Sequence, residues 1–193
     1  MRHRRIGVAG YMGAGKSTAA RYLAEGGGSV IDADRIAKRL MQESSPIKIR
    51  LVEAFGAPVV EDGEIRFDRL GNAAFASEAA LLRLNAIVHP ALVKVLEDRL
   101  SEYGDRPAVL DAALLPLWYV ESLFDALLWV HAPRPTRLRR IMAGRPDFDE
   151  GVAAGRMRLQ ERTLPEPAAD STWIRIDNGE SRERLFERLG DFR

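Results

Sequence analysis

Gly10-Tyr11-Met12-Gly13-Ala14-Gly15-Lys16-Ser17 meets the spacing G-x-x-x-x-G-K-[ST] in full. Residues in this pattern curl the backbone into a concave ring of N–H donors, and such a ring binds phosphate oxygens. Gly13, Ala14 and Gly15 supply backbone to the ring, Lys16 reaches the β and γ phosphates, Ser17 offers a hydroxyl to Mg²⁺, and Thr18 continues into a helix. That helix points the positive end of its dipole at the anion. The chemistry predicted is the binding of a nucleoside triphosphate. Asp32, Asp34 and Asp111 are the carboxylates of interest. A carboxylate close to a triphosphate is repelled by it unless it accepts a substrate proton or helps to hold magnesium. For Asp32 the alternative is a helix cap. Arg137, Arg140, Arg145 and Arg156 follow later in the chain, and guanidinium forks match phosphate oxygens.

These side chains need a scaffold, and the chain supplies one. Residues 5–9 read as a short buried strand, Lys16 to Glu25 as a helix ended by Gly26-Gly27-Gly28, and Val30-Ile31 as a second strand before a helix opening at Asp32-Ala33-Asp34. Ser45-Pro46 reads as an N-cap and first-turn proline for a helix stopping at Gly56, and Val59 to Ile65 as a hairpin turning at Asp62-Gly63. Helices are expected over 68–75, 77–87 and 90–103, the last two divided by His89-Pro90. Apolar runs at Ala108-Val109-Leu110-Asp111 and Ala126 to Val130 predict two more buried strands. Pro133 and Pro135 start an arginine-rich helix, Asp147 with Glu150 resembles a capping box for a helix through Arg162, Trp173 to Ile176 is a last strand, and a helix over 181–189 closes the chain. Strands alternating with helices predict a three-layer α/β fold with a roughly five-stranded parallel sheet.

The 193 residues are 46% hydrophobic and 30% charged, the composition of an ordinary globular chain. Net charge is +1, so no global field draws the chain to nucleic acid or membrane, and any anion site is local. No cysteine is present, which excludes disulfides and cysteine-ligated zinc. No stretch reads as a membrane span of roughly 20 apolar residues, and the basic start runs into a strand without a signal-peptide apolar region. A cytoplasmic location, a monomer or small homo-oligomer, and no nucleic-acid or membrane partner are expected.

A phosphate cradle alone does not separate a kinase from a GTPase or an ATPase motor. The base-reading Asn-Lys-x-Asp of GTPases is absent, and the arginine-rich segment after the fourth strand suits a small-molecule kinase with a closing lid. Further pieces point more narrowly. They are Val30-Ile31-Asp32-Ala33-Asp34-Arg35-Ile36-Ala37, Phe55-Gly56, Asp62-Gly63, Asp68-Arg69-Leu70, Leu84 to Pro90, Arg156-Met157-Arg158-Leu159-Gln160, Ala169-Asp170 and Ile176-Asp177-Asn178-Gly179. In this order and spacing, with the cradle, they resemble dephospho-coenzyme A kinases over nearly the whole chain.

The resemblance implies transfer of the γ-phosphoryl of ATP to the ribose 3′-hydroxyl of dephospho-coenzyme A with Mg²⁺. It implies Asp34 as general base, with Lys16 and Arg140 acting on the transferred group. Arg140, Arg156, Asn178 and Gly179 would join the cradle in holding ATP. Asp34, Arg69, His89 and Leu115 would meet the acceptor, and Ser17 and Asp111 the metal. Three of these have plainer alternatives: His89-Pro90 as punctuation between helices, Arg69 as a surface cation, Asn178-Gly179 as an ordinary turn. The resemblance divides the chain into a nucleotide-binding core (1–35, 104–134 and 168–193), a helical coenzyme-binding insertion (36–103) and a lid (135–167). Two departures stand out. Ala9 replaces a usual threonine, and Asp111 to Trp118 keeps the leucines but not the glutamate of the family's Pro-Leu-Leu-Phe-Glu segment. The second leaves room for another small-molecule acceptor on the same architecture; a non-catalytic ATP sensor is opposed by the intact Lys16, Ser17, Asp34 and Asp111.

Overall fold

Ile6, Val8 and Ala9 have no exposed surface, and the strand they belong to is the centre of the sheet. The computed structural model describes residues 4–144 and 148–193. In chain order the first elements are β1 (Arg5–Ala9), α1 (Lys16–Ala24), β2 (Ser29–Asp32), α2 (Ala33–Glu43) and α3 (Ser45–Phe55). There follow β3 (Val60–Glu61), β4 (Glu64–Ile65), α4 (Phe67–Ala74), α5 (Glu78–Tyr103) and β5 (Ala108–Asp111). The last are β6 (Ala126–His131), α6 (Arg134–Gly144), α7 (Glu150–Thr163), β7 (Trp173–Asp177) and α8 (Arg182–Leu189). By packing the chain forms two compact units, one running to Asp32 and resuming at Arg99, the other spanning Ala33–Asp98.

The first unit holds a five-stranded sheet in the order β2-β5-β1-β6-β7, parallel at every pairing. This is the expected sheet, and both its faces are covered, which is why β5 and β6 read as unbroken apolar runs. Side chains two apart share a face. Ile6 and Val8 of β1 with Leu128 and Val130 of β6 therefore line one layer, where Ala19, Ala20 and Leu23 of α1 and Leu185 and Leu189 of α8 close over them. Gly7 and Trp129 alternate onto the opposite face. There the Leu115 side chain packs on β1 so closely that a Cβ at Gly7 would lie 2.6 Å from its Cδ2. All five strands run the same way, so their carboxyl ends form one edge. The chain leaves β1 for β2 on one side and reaches β6 on the other, and ligands bind at such a switch point.

The second unit is helical apart from the antiparallel hairpin of β3 and β4. Its turn is the expected one, with φ of 51° at Asp62 and 79° at Gly63. Gln42 of α2 ties the hairpin down: its Oε1 accepts from Ile65 N at 3.0 Å and its Nε2 donates to Glu64.

Four local expectations need correction. Residues 77–87 and 90–103 are not two helices but the single helix α5, with Pro90 in its interior. Proline removes one donor and crowds the carbonyl four residues back, yet Leu81, Val88, Leu92, Leu96 and Leu100 are all buried, and that continuous stripe holds the helix across the break. In consequence α5 is one helix long and apolar enough, by length and composition alone, to cross a membrane. Of its most apolar window 28% is buried. The N-cap of α3 is Ser44 rather than Ser45, which leaves Pro46 in the first turn. The cap of α7 is Asp149, whose carboxylate accepts from Val152 N at 2.8 Å; Asp147 lies outside the described residues.

Candidate active site

The loop between β1 and α1 takes the conformation its glycines permit. Gly10 has φ 143° and Gly15 φ 100°, values that L side chains rarely adopt. At Gly10 a Cβ would stand 2.3 Å from the Val130 carbonyl oxygen, so the loop leaves β1 pressed against β6. Gly15 caps α1 in the left-handed conformation, and its missing Cβ gives room to the Asn178 amide, 2.2 Å from where that Cβ would be.

Lys16 begins α1, and its Nζ donates to the Tyr11 carbonyl at 3.4 Å. Ser17 Oγ donates to Asp111 Oδ2 at 2.5 Å, which joins the start of α1 to the end of β5. Asp111 is 9% exposed. In the sheet it stands in register with Asp32 of β2, so two carboxylates occupy neighbouring strand ends beside the cradle. Thr18 N donates to the Gly15 carbonyl as the helix starts.

The Ala14 carbonyl is a junction. It accepts from Asn178 Nδ2 at 2.7 Å and from Arg140 Nη1 at 3.4 Å. Asn178 is itself fixed, since its backbone N–H donates to the His131 carbonyl at 2.6 Å. Gly179 follows in the exposed turn, where its Cβ would come within 3.0 Å of the Pro133 ring. Burial holds the Arg140 guanidinium below its ordinary pKa, with the neighbouring Arg139 charge adding to the effect. Partial desolvation of a cation in this way makes an anionic partner more valuable to it.

Sequence reasoning on the arginines is only partly matched by their placement. Arg140 lies at the cradle. Arg156 sits on α7 with its guanidinium 5.1 Å from the Phe148 ring centroid. Arg137 is not a phosphate fork presented to solvent: it is buried, donates through Nε to the Ala132 carbonyl at 3.0 Å and pairs with Glu161. Arg145 lies outside the described residues. Leu115 is 1% exposed, so its side chain belongs to the core beneath the loop after β5 and does not form an open wall.

In the second unit, Asp34 is exposed in the first turn of α2, separated from Asp32 by one residue of chain. Arg69 is engaged within its own unit, donating to the Pro58 carbonyl at 3.2 Å and to Glu61 at 3.1 Å. His89 lies within α5, where burial lowers its pKa to about 4 and so keeps its imidazole neutral at physiological pH.

Residues to which the sequence assigned no role of their own hold the far side of the cradle. Gln160 Oε1 accepts from Met12 N at 2.8 Å, and Tyr11 donates through its hydroxyl to the Leu164 carbonyl at 3.1 Å. The Tyr11 ring stands edge-on to Trp129 with centroids 5.0 Å apart. Tyr11 and Met12 occupy the variable positions of the motif, where the pattern sets no residue type, so nothing in the spacing marked them.

Comparison with known proteins places the chain among relatives. The sequence model of the dephospho-CoA kinase family matches residues 4–182. A dephospho-CoA kinase from Carboxydothermus hydrogenoformans is 35% identical over 189 residues, covering 95% of this chain and 90% of that one. The crystal structure of a Thermus thermophilus protein superposes with a TM-score of 0.72 at 28% identity, over 97% of this chain and 94% of the other. A Campylobacter jejuni dephospho-CoA kinase superposes at 0.56 over the same shares, and at 21% identity it supports the fold alone. With a family match across most of its length and a relative above 30% identity, the chain belongs to the dephospho-CoA kinase family.

Proposed function

We propose that this chain transfers the γ-phosphoryl group of ATP to the ribose 3′-hydroxyl of dephospho-CoA, giving CoA and ADP. The observation that carries the reading is the Ser17 to Asp111 hydrogen bond of 2.5 Å beside an intact cradle, in a chain that the family model matches over residues 4–182.

In the reaction the bond between the γ-phosphorus and the β,γ-bridging oxygen breaks, a bond from the acceptor oxygen to that phosphorus forms, and the hydroxyl proton leaves. Phosphoryl transfer is governed by positioning and charge neutralisation more than by covalent help from the protein. The cradle N–H groups from Gly13 to Thr18 and the Lys16 ammonium bind the phosphates. Arg140, tethered to the Ala14 carbonyl, neutralises charge on the transferred group, and Arg156 assists. Asp34 orients the acceptor hydroxyl and takes its proton. Arg69 and His89 contact the acceptor, and Leu115 shapes the loop from beneath. Asn178 and Gly179 border the adenine, Asn178 also bracing the cradle through Ala14. We assign acceptor recognition to residues 36–103 and closure over ATP to residues 135–167, in a cytoplasmic enzyme.

Ser17 and Asp111 fit Mg²⁺: a hydroxyl and a carboxylate are hard oxygen donors, and they already lie within hydrogen-bond distance of each other. Among the described residues no cluster of three or more His, Asp or Glu forms a metal cage. Mg²⁺ commonly takes one or two protein oxygens and completes its shell with phosphate and water. When bound, the metal neutralises charge on the phosphates.

The test is ADP release with dephospho-CoA, compared with nucleoside monophosphates and shikimate-like alcohols. Dephospho-CoA alone should stimulate release, and Asp34→Asn should keep ATP binding while losing about 10²- to 10⁴-fold in turnover, the usual worth of a general base. Stimulation by another acceptor and not by dephospho-CoA overturns the reading. Near-normal turnover in Asp34→Asn removes Asp34 from the base role.

A further inference from the structure

Three polar or charged side chains are buried among the described residues: Asp111, Asn178 and Arg137. The first two serve the cradle directly. Arg137, 4% exposed, turns away from solvent altogether. Its Nε donates to the Ala132 carbonyl at 3.0 Å, Nη2 pairs with the Glu161 carboxylate, and its guanidinium carbon lies 4.9 Å from the Tyr11 ring centroid. Among the described residues Nη1 is buried with no hydrogen-bond partner. Burying a cation is costly for folding even when it is paired.

What surrounds Arg137 is the cradle's variable segment. The Tyr11 ring lies under the guanidinium while its hydroxyl is held by Leu164, just past the end of α7. Met12 N–H is held by Gln160 of α7. At Gly13 a Cβ would lie 2.6 Å from the carbonyl oxygen of Arg137 itself, so the first turn of α6 abuts the loop backbone. Three successive cradle residues are thus fixed by α6 and by α7 with the residue that follows it, and the Arg137 to Glu161 pair joins those two helices at that point.

We propose that Arg137 is a positioning residue for the phosphoryl donor: paired with Glu161, it locks α6 to α7 and, through Tyr11 and Gly13, holds the cradle in the shape that receives the triphosphate. The inference rests on the ATP-binding half of the function proposed above and is independent of which acceptor is used. It follows that any movement of α7 against α6 is felt at Tyr11 and Met12, so the ATP site is coupled to the state of that helix pair. Lysine does not reproduce the arginine, because its one compact ammonium lacks the separated Nε and Nη2 donors that reach Ala132 and Glu161.

The experiment is titration calorimetry of ATP into the full chain without acceptor, paired with steady-state kinetics, for the parent, Arg137→Gln, Arg137→Lys and Glu161→Gln. Both Arg137 variants should bind ATP about tenfold more weakly, the size of effect expected for loss of one coupled contact. Their KM for the acceptor should stay within about twofold of the parent, a split that general loosening of the fold would not give. If Arg137→Gln does not fold, Glu161→Gln carries the test, because its exchange of one oxygen for an amide is nearly isosteric; a threefold or greater loss of ATP affinity is expected. ATP affinity within twofold of the parent in a folded Arg137→Gln or in Glu161→Gln, equal shifts in both KM values, or full rescue by Arg137→Lys overturns the proposal. Calorimetry reads ATP binding alone, so a failed acceptor assay leaves this result interpretable.

Discussion

Ser17 Oγ donates to Asp111 Oδ2 across 2.5 Å, linking the first turn of α1 to the carboxyl end of β5. The bond prearranges the two protein oxygens best suited to Mg²⁺, and it places them at the edge where the cradle leaves β1. Replacing the carboxylate by an amide keeps the hydrogen bond and removes the charge. Asp111→Asn should therefore fold normally and bind ATP within a few-fold of the parent, while kcat falls by about 10²- to 10³-fold, the scale of a lost transition-state electrostatic contact. The deficit should narrow as Mg²⁺ is raised, measured by ADP release across a magnesium series. A deficit independent of Mg²⁺ would argue that Asp111 acts without the metal.

Two cradle glycines separate folding from binding. A methyl group at Gly10 meets the Val130 carbonyl oxygen at 2.3 Å, which is backbone and cannot step aside. Gly10→Ala should lower unfolding free energy by roughly 2–4 kcal/mol, combining strain at a positive φ with displacement of β6. At Gly15 the methyl meets the end of the Asn178 side chain, which can rotate away at the cost of its bond to Ala14. Gly15→Ala should lose roughly 1–3 kcal/mol of stability and lose more in ATP affinity than Gly10→Ala does among the folded fraction. Denaturant melts with and without ATP distinguish the two.

His89 gives a pH signature. Burial lowers its pKa from 6.5 to about 4, so the unfolded chain takes up a proton at this site before the folded chain does. Stability is full above pH 6.5 and falls as the pH drops from 6.5 toward 4. Solvent screening of a half-buried group limits the loss to roughly 1–2 kcal/mol. Denaturant melts at pH 7.5, 6 and 5 should show the decline in the parent and a shallower one in His89→Gln. Equal slopes would contradict the assignment.

The parallel sheet and the cradle were legible because each follows from local chemistry: unbroken apolar runs for strands buried on two faces, and a glycine and lysine spacing that only a phosphate ring requires. Asn178 was marked by its place after the last strand, though its hold on Ala14 is a tertiary fact with no sequence period. The proline at 90 misled, since its local preference to end a helix was overruled by the apolar stripe on either side of it. Leu115 reads as a site residue by resemblance and sits in the core by packing. Arg137 is the clearest limit. Four arginines in an arginine-rich segment look alike along the chain, and only the fold shows that one of them is sealed between Tyr11 and Glu161.

The central claim is the transfer of a phosphoryl group from the cradle-bound ATP to one particular hydroxyl of dephospho-CoA. Phosphorus NMR of the product formed from ATP, Mg²⁺ and dephospho-CoA tests it most directly. The account predicts one new phosphomonoester on the ribose 3′-oxygen, appearing in step with ADP and failing to appear with Lys16→Ala. A new phosphate at any other position, or ADP formed with no phosphorylated acceptor, would contradict it.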